Sequence, residues 1–105
     1  MDALTRLEAT IASRRSASPD ESYVASLCAR GLPVIARKLG EEGIETVIAA
    51  LSGTREELVG EAADVLFHLL VLLAQKDIPL ADVLAELDRR EGTSGLVEKA
   101  ARSAR

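Results

Sequence analysis

Five carboxylates stand at helical spacing in two short words of this 105-residue chain, Glu41-Glu42-Gly43-Ile44-Glu45 and Glu61-Ala62-Ala63-Asp64. Residues three and four apart share a helix face. Glu41, Glu42 and Glu45 are thereby expected to converge, and Glu61 to join Asp64. Like charges so spaced weaken an isolated helix by roughly 0.2–0.5 kcal/mol per pair. A chain that carries this cost twice, beside apolar stretches, calls for a cation there. The acidity is also local. Residues 41–64 hold seven acids and one base, net −6, while 17 acids against 13 bases leave the whole chain at −4. Charge confined to one window describes a site and not a bulk property.

Oxygen ligands without clustered histidine or thiolate favour a hard cation. Magnesium fits best, because it takes one or two carboxylates together with waters and substrate phosphates. Four or five carboxylates leave room for two ions at one phosphate centre. No glycine-rich phosphate loop is present, since Gly40 and Gly43 do not make G-x-x-x-x-G-K-[ST]. An EF-hand is excluded because the acids are on helices. A diiron bundle needs repeated Glu-x-x-His pairs, and the chain has one histidine. A solvated acidic face remains the alternative for either word alone.

The elements that must position these acids are helices. Aromatic residues are nearly absent, Tyr23 and Phe67 alone, so the core must be aliphatic. That scarcity and the negative balance argue against binding single-stranded nucleic acid or a phosphate backbone. A lone cysteine, Cys28, builds neither a disulfide framework nor a thiolate zinc site. The N-terminus lacks a signal-peptide pattern, and the longest apolar run, Val65 to Ala74, is too short to span a bilayer. A soluble cytoplasmic protein of one domain, residues 1–105, is expected.

Helical spacing and caps predict a helix from about Asp2 to Arg15, a short one over Ser22 to Ala29, and a long one from Pro33 to Leu51. Ile35, Leu39, Ile44, Val47, Ile48 and Leu51 are its expected apolar contacts. Thr54-Arg55-Glu56-Glu57 reads as a capping box that starts a second long helix, ending near Gln75. Further helices are predicted over Leu80 to Arg90 and Leu96 to Ala101. No period-two strand pattern occurs, so the fold class is all-α. The very short link makes the two long helices antiparallel neighbours. Glu45 lies about eight residues before the turn and Glu61 about seven after it, so the two acid clusters share one height.

The order E-E-x-x-E followed by E-x-x-D resembles the MazG-like all-α nucleotide pyrophosphohydrolases. The flanking words narrow the likeness. Ser22-Tyr23-Val24-Ala25, the run from Lys38 to Ala50, the run from Glu61 to Leu73, Asp82 to Arg90, and Thr93-Ser94-Gly95-Leu96 resemble the phosphoribosyl-ATP pyrophosphatase family over nearly the whole chain. The resemblance implies magnesium-dependent hydrolysis of phosphoribosyl-ATP to phosphoribosyl-AMP and pyrophosphate, the second step of histidine biosynthesis, by a stand-alone cytoplasmic enzyme. One departure is Leu51, where many relatives carry lysine. The rival readings are a house-cleaning pyrophosphohydrolase of aberrant nucleoside triphosphates and a non-catalytic helical dimerisation module with a structural cation.

By this resemblance Glu42, Glu45, Glu61 and Asp64 are the metal ligands, and Glu41 orients or deprotonates the attacking water. Lys38 either holds a phosphate or neutralises Glu41 and Glu42. His68 shares the acid stripe, and either contacts base or ribose or supports the site from the core. Arg30, Arg89, Arg90 and Lys99 are candidates for the ribosyl phosphate, with helix-end placement as the plainer account. Tyr23 reads as packing, or as a stacking face for a purine. Two long helices leave more apolar surface than so small a chain covers. A helical bundle completed by homodimerisation, or a dimer of dimers, is expected.

Overall fold

The computed structural model describes residues 2–92 and 95–103. Thr93 and Ser94, part of the tail word above, lie outside them. Among the described residues six helices follow in order: α1 (Ala3–Arg14), α2 (Tyr23–Arg30), α3 (Leu32–Ser52), α4 (Arg55–Gln75), α5 (Leu80–Glu91) and α6 (Gly95–Ser103). No strand occurs among the described residues, and the fold is all-α. None of the helices among the described residues is long and apolar enough to cross a membrane.

Local chemistry sets most helix ends. The Asp2 carboxylate accepts from the Thr5 N–H at 2.8 Å and opens α1. The Ser22 hydroxyl accepts from the Ala25 N–H at 3.2 Å and opens α2. The expected linker before α3 shrinks to one residue, Gly31, whose φ of 95° lies in the left-handed region that favours glycine. It ends α2 and begins α3, with proline in the first turn.

The α3–α4 link is Gly53 and Thr54. A Cβ at residue 53 would lie 2.9 Å from the Ala49 carbonyl oxygen and 3.1 Å from a Glu57 carboxylate oxygen, so only glycine fits. Thr54 caps as expected, its oxygen accepting from the Glu57 N–H at 3.1 Å. The return bond differs from that of a standard box. The Thr54 hydroxyl donates to Glu57 Oε1 at 3.3 Å, which draws the carboxylate to the cap side chain. Pro79, before α5, has no capping side chain, and α1 supplies one: the Glu8 carboxylate accepts from the Leu80 N–H at 2.6 Å.

Helices α3 and α4 each have 21 residues, about 30 Å at 1.5 Å per residue. Against them α1 packs on α4 and α2 on α3. Ile11, Val24, Leu27, Ile35, Leu70, Val71, Leu73 and Leu80 form an aliphatic core, with Cys28 half-buried beside it. Full burial of an aliphatic side chain contributes roughly 1.5–3 kcal/mol. This core occupies the start of α3 and the end of α4. The opposite end of the hairpin, with the turn and the acids, is left uncovered. Of the apolar contacts expected of α3, Ile35 is buried, but Ile44, Val47, Ile48 and Leu51 are exposed. The short helices α1 and α2 do not reach that far along the hairpin.

Candidate active site

The antiparallel hairpin brings the two acid words together. Glu45 meets Glu61, and Glu42 comes within electrostatic reach of Asp64. One carboxylate oxygen from each of Glu42, Glu45 and Glu61 falls within a cluster in which all lie within 4.8 Å of one another. Glu42 is buried, at 8% exposure, Glu61 half-buried and Glu45 exposed. Oε2 of Glu42 and Oε2 of Glu61 are both buried without a hydrogen-bond partner. A buried polar atom left unpaired costs about 1–3 kcal/mol, and more if charged.

The electrostatics agree. Burial pushes the Glu42 carboxyl above the usual carboxylate range, and Glu45 and Asp64 push the same way, against a smaller opposing effect of His68. Glu61 is also raised, first by burial and then by Glu45, Glu42 and Asp64. Without a cation these carboxyls hold protons more tightly than free glutamate does. The orphaned oxygens and the all-oxygen donor set suit a hard divalent ion. Asp64 is exposed and stands at the rim, acting on Glu42 and Glu61 by its charge.

Glu41 departs from the expected convergence. Its carboxylate pairs with Arg37 Nε at 3.5 Å and Lys38 Nζ at 3.6 Å. Adjacent residues differ by about 100° around a helix. Two bases one turn earlier hold Glu41 on the neighbouring face. Lys38 is thereby paired with Glu41. His68 is buried, with Nδ1 2.7 Å from the Asp64 main-chain carbonyl oxygen and Nε2 3.0 Å from the Tyr23 hydroxyl. Both ring nitrogens have protein partners, an arrangement that suits the supporting role. Arg30 is exposed at the end of α2. Arg89 and Arg90 bond Glu86 within α5, at 2.6 and 3.1 Å, and the two guanidinium groups hold its carboxyl at about 2.

A cleft of about 200 Å³ adjoins the acids, lined by Glu45, Ile48, Ala49, Ser52, Gly53, Glu57 and Glu61. Glu57 was not among the site candidates, because its capping spacing explained it. Its position four residues before Glu61 was the signal that it shares the acid face.

An all-α protein with a carboxylate cluster across a helical hairpin is the class that fold and site define. The family model described as Phosphoribosyl-ATP pyrophosphohydrolase matches residues 4–91. A Phosphoribosyl-ATP pyrophosphatase of Novosphingobium aromaticivorans is 70% identical over 95% of this chain and 94% of its own length. Proteins of the same name from Rhizorhabdus wittichii and Erythrobacter litoralis are 69% and 68% identical, covering 94% and 97% of the chain and 93% and 98% of their own lengths. The chain belongs to the phosphoribosyl-ATP pyrophosphohydrolase family, as its acid words and their flanks led one to expect.

Proposed function

We propose that this chain is a magnesium-dependent hydrolase that converts phosphoribosyl-ATP to phosphoribosyl-AMP and pyrophosphate, the second step of histidine biosynthesis, in the cytoplasm. The single observation that carries the reading is the cluster of Glu42, Glu45 and Glu61 with two buried, unpartnered oxygens, in a chain of this family. The bond broken is the anhydride between the first and second phosphates. Water's oxygen joins one phosphorus, the bridging oxygen leaves with the other, and one proton is released.

Glu42, Glu45 and Glu61 would hold the cation, with Asp64 completing the set from the rim. A bound divalent ion supplies Lewis-acid neutralisation of the polyphosphate charge and eases ionisation of water. The residues of the chain bind and orient. Buried Glu42 would anchor the ion, and exposed Glu45 would hold it from the solvent side. Glu41, tied to Arg37 and Lys38, sets the charge at the site's edge; a role as base would require it to leave those pairs.

Pyrophosphate release from phosphoribosyl-ATP, measured against deoxynucleoside triphosphates with and without Mg²⁺, tests the activity. Faster turnover of the triphosphates would make the chain a house-cleaning enzyme, and no turnover of either would leave a binding module. Glu45→Ala and Asp64→Ala should each lose most turnover while circular dichroism stays helical. Near-normal rates in either variant sink the ligand assignment.

The assembly we propose is a homodimer, alone or paired into a dimer of dimers. Leu51 is 83% exposed, and Ile44, Val47, Ile48, Val59 and Leu66 add to an apolar face beside the acids. The radius of gyration is 15.9 Å, against about 13 Å for a compact domain of this size. Ile48 also lines the cleft, so a second copy on this face would close over the substrate. Light scattering should give at least twice the 11.2 kDa chain mass, and a stable monomer refutes the dimer.

A further inference from the structure

The chain has one histidine, and it sits one helical turn beyond Asp64 toward the core. The main-chain carbonyl of Asp64 can only accept, so Nδ1 of His68, 2.7 Å away, must carry the hydrogen and donate it. Nε2 then offers a lone pair, and the Tyr23 hydroxyl donates to it at 3.0 Å. The surroundings therefore decide the tautomer. Phe67 meets the imidazole edge-on at 5.2 Å between ring centres, and Tyr23 stacks on Phe67 at 5.9 Å. Three rings join α2 to the acid-bearing turn of α4.

That junction lies beside the acid cluster, where like charges face one another across the hairpin. Glu42, Glu45, Glu61 and Asp64 repel one another across α3 and α4, and the aliphatic core ends just below them. In a helix the Asp64 carbonyl also accepts the main-chain N–H of residue 68. The ring adds a second bond to the same oxygen.

We propose that Tyr23 and His68 are positioning residues of the acid site: the hydroxyl–imidazole pair holds the Asp64 turn of α4 in register with Glu42 and Glu61. They act through the main chain of Asp64 and touch neither cation nor substrate. The proposal rests on the reading of the acids as cation ligands given above. Groups behind metal ligands typically change affinity or activity 10- to 100-fold when removed, and a contact through the main chain belongs at the low end of that range.

Tyr23→Phe isolates the effect, because it keeps the stacked ring and deletes only the donor. Ring-nitrogen NMR of the single histidine should show the Nδ1–H tautomer in the wild type and a mixture in the variant. Titration with Mn²⁺ alone should show about tenfold weaker binding. In turnover, kcat should fall while KM holds. His68→Asn, whose amide can still donate to the Asp64 carbonyl, should keep more Mn²⁺ affinity than His68→Ala. An Nε2–H tautomer in the wild type overturns the proposal. So does Tyr23→Phe with wild-type Mn²⁺ affinity, even if its melting temperature falls, since packing alone would do that. A wild-type chain that binds no Mn²⁺ overturns the cation reading itself, and the positioning role with it. Wild-type binding that Tyr23→Phe leaves unchanged removes the positioning role alone.

Discussion

Glu42→Gln should make the metal-free protein more stable and the enzyme nearly inactive. Glu42 is buried, its Oε2 has no partner, and its carboxyl is raised by burial and then by Glu45 and Asp64. A carboxyl raised in the folded state favours folding only while it is protonated. That contribution is complete below the unfolded value, near 4.5, and is lost as pH climbs through the raised folded value. Once ionised, the Glu42 carboxylate is therefore a charge that the fold resists. Glutamine keeps the shape and removes the charge. Relieving one poorly satisfied buried group is worth about 1 kcal/mol, or about 4–8 °C in Tm for a domain of this size. Turnover should drop at least about a hundredfold, since a ligand matters no less than the groups behind it. Thermal melts in chelator at pH 7.5, with pyrophosphate release, check both halves. A Tm that falls on substitution contradicts the strained-site account.

The second large effect is that of the cation on stability. Mg²⁺ or Mn²⁺ at 100 times its Kd should stabilise the fold by about 2.7 kcal/mol, a Tm rise on the order of 10–20 °C. Protons compete for the same oxygens. Because Glu42 and Glu61 are both raised, the cation-induced rise should begin to fade at a pH above 4.5 and shrink further as pH falls. Melting scans across pH, with and without the ion, measure this directly. An undiminished rise at pH 4, or an intact rise in Glu42→Gln, would show that the ion binds elsewhere.

Both predictions express one design. Two acid words that would each be tolerable on a solvated helix are pressed together by the hairpin, and burial removes the water that would screen them. Core packing at the other end, around Ile35 and Val71, holds the helices in place. The site is thus a destabilised region supported by a stable one, and a bound cation would reverse the balance.

What the amino-acid order determined alone was local. Asp2, Ser22 and Thr54 each act within three residues of themselves, so the helix starts could be read directly. The two-residue link leaves two long helices little choice but to run antiparallel, and counting from it placed Glu45 beside Glu61. The family was legible because its words are contiguous. Tertiary structure decided whatever depends on groups far apart in the chain or on the direction of one side chain. Glu41 shares the sequence spacing of a ligand, yet nearby bases hold it aside. Tyr23 and His68 meet across 45 residues, and Glu8 caps Leu80 across 72. Spacing gives the face on which a residue lies. Which partner its side chain takes there depends on what the rest of the fold brings within about 3 Å, because hydrogen bonds act only at that range.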